Sequence, residues 1–189
     1  MLAPRSGQPQ EGGRPLASKV FAFWIVLGER PTEAELKKLV DNGVGDATFG
    51  IERGVPVAEF DREATSLAVA VATAVRDLED ADMTPVRVID EDLLTLADIA
   101  DRVGQSRESI RRYATGERGP GNFPPPVNPA RDGTVFYRWS EVAPWLRDRL
   151  NFEVEDTDPA LVVANLVIQA RQLIGRVDQA SSLTGLLVS

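Results

Sequence analysis

The chain has 189 residues, a net charge of −8, 43% hydrophobic and 26% charged residues, and neither cysteine nor histidine. That excludes disulfides, thiolate chemistry, and the commonest general base and zinc ligand. The length allows one or two domains, no apolar run approaches a membrane span, and three lysines against eighteen arginines suggest a high-GC bacterial genome.

Residues 1–19 are rich in Gly, Pro, Gln and Arg and lack an apolar leader core, so they read as a disordered tail. FAFWIVL (Phe21 to Leu27) is aromatic and β-branched, as a buried strand requires. Thr32 with Glu35 forms a capping-box pattern, opening a helix whose apolar face is Leu36, Leu39 and Val40. Asn42-Gly43 stops that helix. ATFGIE and VPVAEFDR then read as two strands joined at Arg53-Gly54. Ser66 caps a second helix with Leu67, Val71, Val75 and Leu78 on one face, and VRVI (Val86 to Ile89) is a last strand. Strand, helix, strand, strand, helix, strand is the order of the ferredoxin-like βαββαβ unit, expected over residues 20–91. The acidic runs Asp77 to Asp82 and Asp90-Glu91-Asp92 read as solvated turns, because no ligand-spaced loop accompanies them. The second run marks the boundary to the next domain.

Residues 92–150 differ in charge. Val20 to Asp92 carries 7 basic and 16 acidic residues, whereas Leu93 to Leu150 carries 9 basic and 7 acidic. Thr95, with Asp98 three residues on, caps LADIADRVG, and Gly104 supplies a left-handed turn. Ser106 caps SRESIRRYATG, in which Ile110 and Ala114 would dock on the first helix. Arg107, Ser109, Arg111 and Arg112 then point outward, where arginine can pair with guanine or phosphate. The alternative is that these arginines pair with Glu108, Asp101 or Glu117 on a solvated helix. After an extended GERGPGNFPP loop, with Arg118 at a flexible Gly-rich tip, come a proline-rich strand, a hairpin turn at Asp132-Gly133, and a helix.

LLTLADIADRVGQSRESIRRY, FPPPV and YRWSEVAPWL together resemble the DNA-binding domains of MerR-like and AlpA/excisionase-like proteins, over about 55 residues. The resemblance implies a winged helix-turn-helix whose second helix reads the major groove of double-stranded DNA. It implies that Ser106, Arg107, Ser109, Arg111 and Arg112 lie on the reading helix, and Asn128, Arg131 and Thr134 in the wing. It makes Arg131 and Arg138 phosphate contacts; the extended loop carrying Arg118 departs from the family pattern, and it either reaches along the DNA backbone or is merely a linker. It places Trp139, Val142, Trp145 and Leu146 in the core, with Ser140 as a cap. The chain departs from the MerR arrangement, in which the DNA domain comes first and a coiled coil follows.

After the acidic linker NFEVEDTD, Asp158 caps a helix with Pro159 at its first turn. Asn165, Gln169, Gln172 and Arg176 form one narrow polar stripe on it, and the rest is apolar. Such a helix must be buried, either against a second subunit or across its own N-terminal domain. The expectation is an α+β cytoplasmic protein with no cofactor, no membrane partner and no enzymatic activity. It would be a homodimeric, sequence-specific DNA-binding protein of the transcription-regulator type. The alternatives are an excisionase-like DNA-bending factor, or an adaptor whose N-terminal domain binds a protein or small ligand.

Overall fold

The computed structural model describes residues 17–129, 133–155 and 158–186. Within them the chain is mixed α+β. Strand β1 (Lys19–Leu27), helix α1 (Glu33–Asp41), strands β2 (Ala47–Glu52) and β3 (Val55–Ala64), helix α2 (Leu67–Asp80) and strand β4 (Pro85–Val88) build the first half. The four strands form an antiparallel sheet in the order β2-β3-β1-β4. Its register pairs Phe23 with Phe60 and Ile25 with Ala58. These residues alternate with outward-facing ones, as the two-residue period of a strand demands. Phe23, Ile25, Phe60 and Ala64 pack with Leu39 of α1 and with Leu67, Val71, Val75 and Leu78 of α2 in one core. Both helices therefore lie on one face of the sheet. The capping box at Thr32 is formed, with Thr32 N donating to Glu35 at 2.7 Å and Glu35 N donating to the Thr32 hydroxyl at 3.3 Å.

The acidic run in α2 is not simply solvated. Arg62 stands at an inward position of β3 and is 7% exposed. Its guanidinium is bidentate to Asp46 at 2.7 and 2.9 Å, donates to Asp77 at 2.6 Å, and lies 5.0 Å from the Phe60 ring centroid. The Arg62 hydrogen bonds hold the Asp46 carboxyl below its ordinary range. Asp82 pairs with Lys38, and Glu79 with Arg171.

The second half comprises β5 (Leu93–Leu94), α3 (Leu96–Arg102), α4 (Arg107–Ala114), β6 (Tyr137–Arg138) and α5 (Trp139–Leu150). The proline-rich stretch is not a ladder strand. Prolines have no N–H to donate, and Val127 N to Phe136 O at 2.8 Å is the backbone bond that ties it to the returning chain. β6 pairs instead with β5, a two-residue strand at Leu93–Leu94. Ser140 does not cap α5. That role falls to Asp92, which is 2% exposed, accepts from Ser140 N at 2.7 Å and from Arg138 Nη1 at 3.0 Å, and whose carbonyl accepts from Trp139 N. The run 90–92 is thus a junction rather than a solvated turn. Asp90 accepts from Asn165, Glu91 from Arg102, and Asp92 from the start of α5.

Helix α6 (Ala160–Ile174) lies along α2 and β4, within its own chain, and α7 (Ser181–Thr184) follows. Its orientation reverses the simple amphipathic expectation. Asn165 reaches Asp90 at 2.6 Å, and Gln172 donates to the carbonyls of Pro85 and Val86 at 3.1 Å. Asn165 and Gln172 of the polar stripe face the protein, while Gln169 and Arg176 are exposed, and Val162 and Ile168 are the buried apolar residues. No described helix is long and apolar enough to cross a membrane.

Candidate nucleic-acid interface

The candidate surface is built by α3 and α4. The Thr95–Asp98 capping box starts α3: Thr95 N donates to Asp98 at 2.8 Å and Asp98 N to the Thr95 hydroxyl at 3.2 Å. Gly104, at φ +62°, turns the chain between the helices. The Ser106 hydroxyl accepts from Ser109 N at 3.1 Å and starts α4. Ile99 and Ala100 of α3 and Ile110 of α4, all buried, join the two helices to Val142 and Leu146 of α5. Two short helices are thereby locked at fixed geometry, with the opposite side of α4 left to solvent.

On that side the arginines differ sharply in availability. Arg111 donates to Glu108 through Nε at 2.8 Å and Nη2 at 2.9 Å, and to Glu117 through Nη1 and Nη2 at 2.8 Å each. Arg112 Nε donates to the same Glu108 at 3.1 Å. The Arg111 and then the Arg112 hydrogen bonds bring the Glu108 carboxyl down to about 2, and the two carboxylates raise the Arg111 guanidinium above its ordinary value. Two arginines and two glutamates thus cancel. Asp101 takes no part. Arg107, at the first turn of α4, is exposed and has no ion-pair or hydrogen-bond partner among the described residues.

Arg107 also lines a groove of about 510 Å³ with Thr95, Leu96 and Ala97 of α3 and Gly133, Thr134 and Tyr137. The groove brings the start of both helices and the returning hairpin to one place. The resemblance offered Arg107 and Thr134 separately; Thr95, Leu96 and Ala97 were not singled out, because only the tertiary fold brings them there.

The remaining expected contacts have other occupations. Asn128 closes the hairpin: its Nδ2 donates to Thr134 O at 2.8 Å and its Oδ1 accepts from Phe136 N at 2.9 Å. It supplies, through a side chain, the pairing that the prolines cannot. Arg138 is drawn toward Asp92, with its side chain 31% exposed. Arg131 lies outside the described residues. Arg118 is exposed with its guanidinium 5.4 Å from the Tyr113 ring centroid.

The loop carrying Arg118 is not a flexible tip. Arg118 N donates to Arg112 O at 3.1 Å, and Trp145 Nε1 donates to Gly121 O at 3.1 Å. Phe123 meets Trp145 and Tyr137 edge-on at 5.0 and 5.6 Å, and Tyr113 lies 5.9 Å from Trp145. Trp139 and Trp145 are buried at 3% and 8%, so both are packing residues. Arg102 stacks over Trp139 at 4.9 Å. No cluster of acidic residues suited to a metal ion occurs among the described residues.

Comparison with family models, with curated proteins and with solved structures finds no match to this chain.

Proposed function

We propose that the chain is a sequence-specific DNA-binding protein of the transcription-regulator type, acting as a homodimer, with α3–α5 and the hairpin as a winged helix-turn-helix. The sheet order β2-β3-β1-β4 with two helices on one face supports reading the first half as a ferredoxin-like scaffold. The observation that carries the DNA reading is the placement of Arg107. It is a cation with no ion-pair partner among the described residues, at the exposed start of the second helix and in a groove shared with Gly133 and Thr134. In helix-turn-helix proteins that end of the second helix meets base edges and phosphates. Arg111 and Arg112 join on exchanging their glutamates for the nucleic acid. Because the acidic remainder repels DNA, contact is local and depends strongly on salt.

The test is recovery of bound genomic fragments with the full chain, followed by gel retardation on the enriched site. Joint replacement of Arg107, Arg111 and Arg112 by alanine should abolish retardation, and undiminished binding refutes the reading. Strong bending with cooperative filaments would instead identify an excisionase-like architectural factor. A second reading rests on the other sheet face. Trp24 of β1 stands there opposite Glu59 of β3, in a stripe continued by Asp61 and Glu63. An acidic face with a central tryptophan suits a basic protein partner. Absence of any DNA affinity at low salt would favour this reading.

A further inference from the structure

The outward side of α6 carries a stripe that nothing among the described residues covers. Val163, Leu166, Val167, Leu173, Ile174 and Val177 are between 37% and 56% exposed, and Ala170 at their centre is exposed too. Positions 163, 166/167, 170, 173/174 and 177 follow the 3–4 spacing of a helix seam. Helix α6 ends at Ile174, and turn bonds from Arg176 N to Leu173 O and from Val177 N to Ile174 O lead the chain on to Val177. The stripe lies opposite Asn165, Ile168 and Gln172, the residues that dock α6 on its own domain. Burying the amides inward leaves the aliphatic side chains outward.

The stripe reads the same from both ends. Seven residues either side of Ala170 stand Val163 and Val177; four either side, Leu166 and Ile174; three either side, Val167 and Leu173. A two-fold interface requires that kind of self-match, because each residue meets its mirror position on the other copy. Antiparallel pairing centred on Ala170 sets valine on valine at the ends and aliphatic on aliphatic between. The small side chain at the axis lets the helices approach closely. No charged residue lies in the stripe; Arg171 flanks it on the same side in both copies, each paired with Glu79 of its own chain at 2.9 Å.

We propose that α6 pairs antiparallel with α6 of a second copy about a two-fold axis at Ala170. The proposal supplies the interface for the two-copy arrangement invoked above, and does not depend on DNA being the ligand. From Val163 to Val177 the stripe runs about 21 Å. Covering seven half-exposed side chains removes roughly 400–500 Å² per copy, about 800–1,000 Å² in all, below the roughly 1,200 Å² of a stable specific interface and in the range of weak association. The dimer should therefore dissociate measurably on dilution.

The full chain has no cysteine, so introduced thiols report cleanly. Under mild oxidation Ala170→Cys should cross-link to itself. Val163→Cys alone should not, but an equimolar mixture of Val163→Cys and Val177→Cys should. In sedimentation equilibrium Ala170→Glu should halve the apparent mass with unchanged circular dichroism. A wild-type chain that stays monomeric at the highest soluble concentration overturns the proposal. So does Val163→Cys cross-linking as readily as Ala170→Cys, which would mean parallel helices. Loss of DNA retardation with this pairing intact would refute the DNA reading alone, whereas a monomer that still retards DNA would refute the pairing alone.

Discussion

Replacing Asp92 should unfold the α3–α5 half first. Two contributions are lost in Asp92→Ala. The carboxylate accepts from Ser140 N at 2.7 Å, and such a cap contributes about 1 kcal/mol. It also faces Arg138 at 3.0 Å. Breaking a fully buried pair costs roughly 3–5 kcal/mol. The Arg138 side chain is 31% exposed, however, so water regains it and about 1–2 kcal/mol of that cost remains. Together the loss is about 2–3 kcal/mol, or a drop in melting temperature of roughly 5–10 °C for a chain of this size. Asp92→Asn keeps an acceptor for Ser140 N and loses only the charge pair, so it should fall between. The assay is thermal unfolding followed by tryptophan fluorescence in a Trp24→Phe background. The signal then comes from Trp139 and Trp145, which lie in the core beside α5. If Asp92→Ala melts within about 2 °C of the parent, equivalent to less than 1 kcal/mol, the carboxylate contributes nothing and the junction argument is wrong.

The other predictions are independent of that one. Gly119 sits at φ +87°, and a Cβ there would come 2.8 Å from Tyr113 Cδ1. Gly119→Ala, which adds that overlap to the backbone strain, should cost about 2–5 kcal/mol in urea unfolding, while Gly121→Ala, at φ +75° with open space around it, should lose only backbone strain of about 1–2 kcal/mol; equal losses would show that the loop does not hold Tyr113. Arg62→Ala should destabilise by about 1–2 kcal/mol, because Asp46 and Asp77 are about one-third exposed and water regains them. Because the folded Asp46 carboxyl lies below its ordinary value of 3.8, the stabilisation it gives is complete above that pH and disappears as pH falls further. Arg62→Met should flatten that acid slope, and an unchanged slope in a denaturant series would refute the assignment. The Glu108 carboxyl should titrate at about 2 by carbon-detected NMR, so its pairs persist well below the ordinary 4.5 and open only as pH drops through about 2; a midpoint near 4.5 would mean that Arg111 and Arg112 are not held. Glu117→Gln removes one carboxylate from Arg111 and should tighten DNA binding several-fold with a steeper salt dependence by fluorescence anisotropy; unchanged affinity would show that Glu117 does not restrain the arginine.

Local signals were legible in the residues. The caps at Thr32, Ser66, Thr95 and Ser106 each accept from the backbone N–H three residues on, because capping is a contact within one turn. The aromatic and β-branched composition of FAFWIVL likewise marked a buried strand, and its Phe23 and Ile25 are core. Pairings between distant segments were not legible. β5 is two residues long and exists only because β6 returns 44 residues later. Asp92 resembles any acidic turn residue until α5 arrives over it. Helix α6 misleads for a different reason: hydrophobicity indicates which side chains favour burial, but the β4 edge and Asp90 present hydrogen-bonding groups that only amides can meet. The pairing of Arg111 and Arg112 with glutamates was one of two open readings. Charge spacing alone does not separate an arginine held by its own helix from one left for a ligand.

The three residues from Asp90 to Asp92 hold α6 at one end and α5 at the other, and a tripeptide spans no more than about 11 Å. Asp90 stays with α6 and the sheet, whereas Glu91 and Asp92 go with α3 and α5, so a rotation at the Asp90–Glu91 step breaks none of these contacts. The join is a single short pivot between two separate cores. A two-fold pair of such chains would carry its two α4 helices on two pivots of this kind, like a calliper with short, movable jaws. DNA whose half-sites were moved apart by one or two base pairs would then still engage both copies.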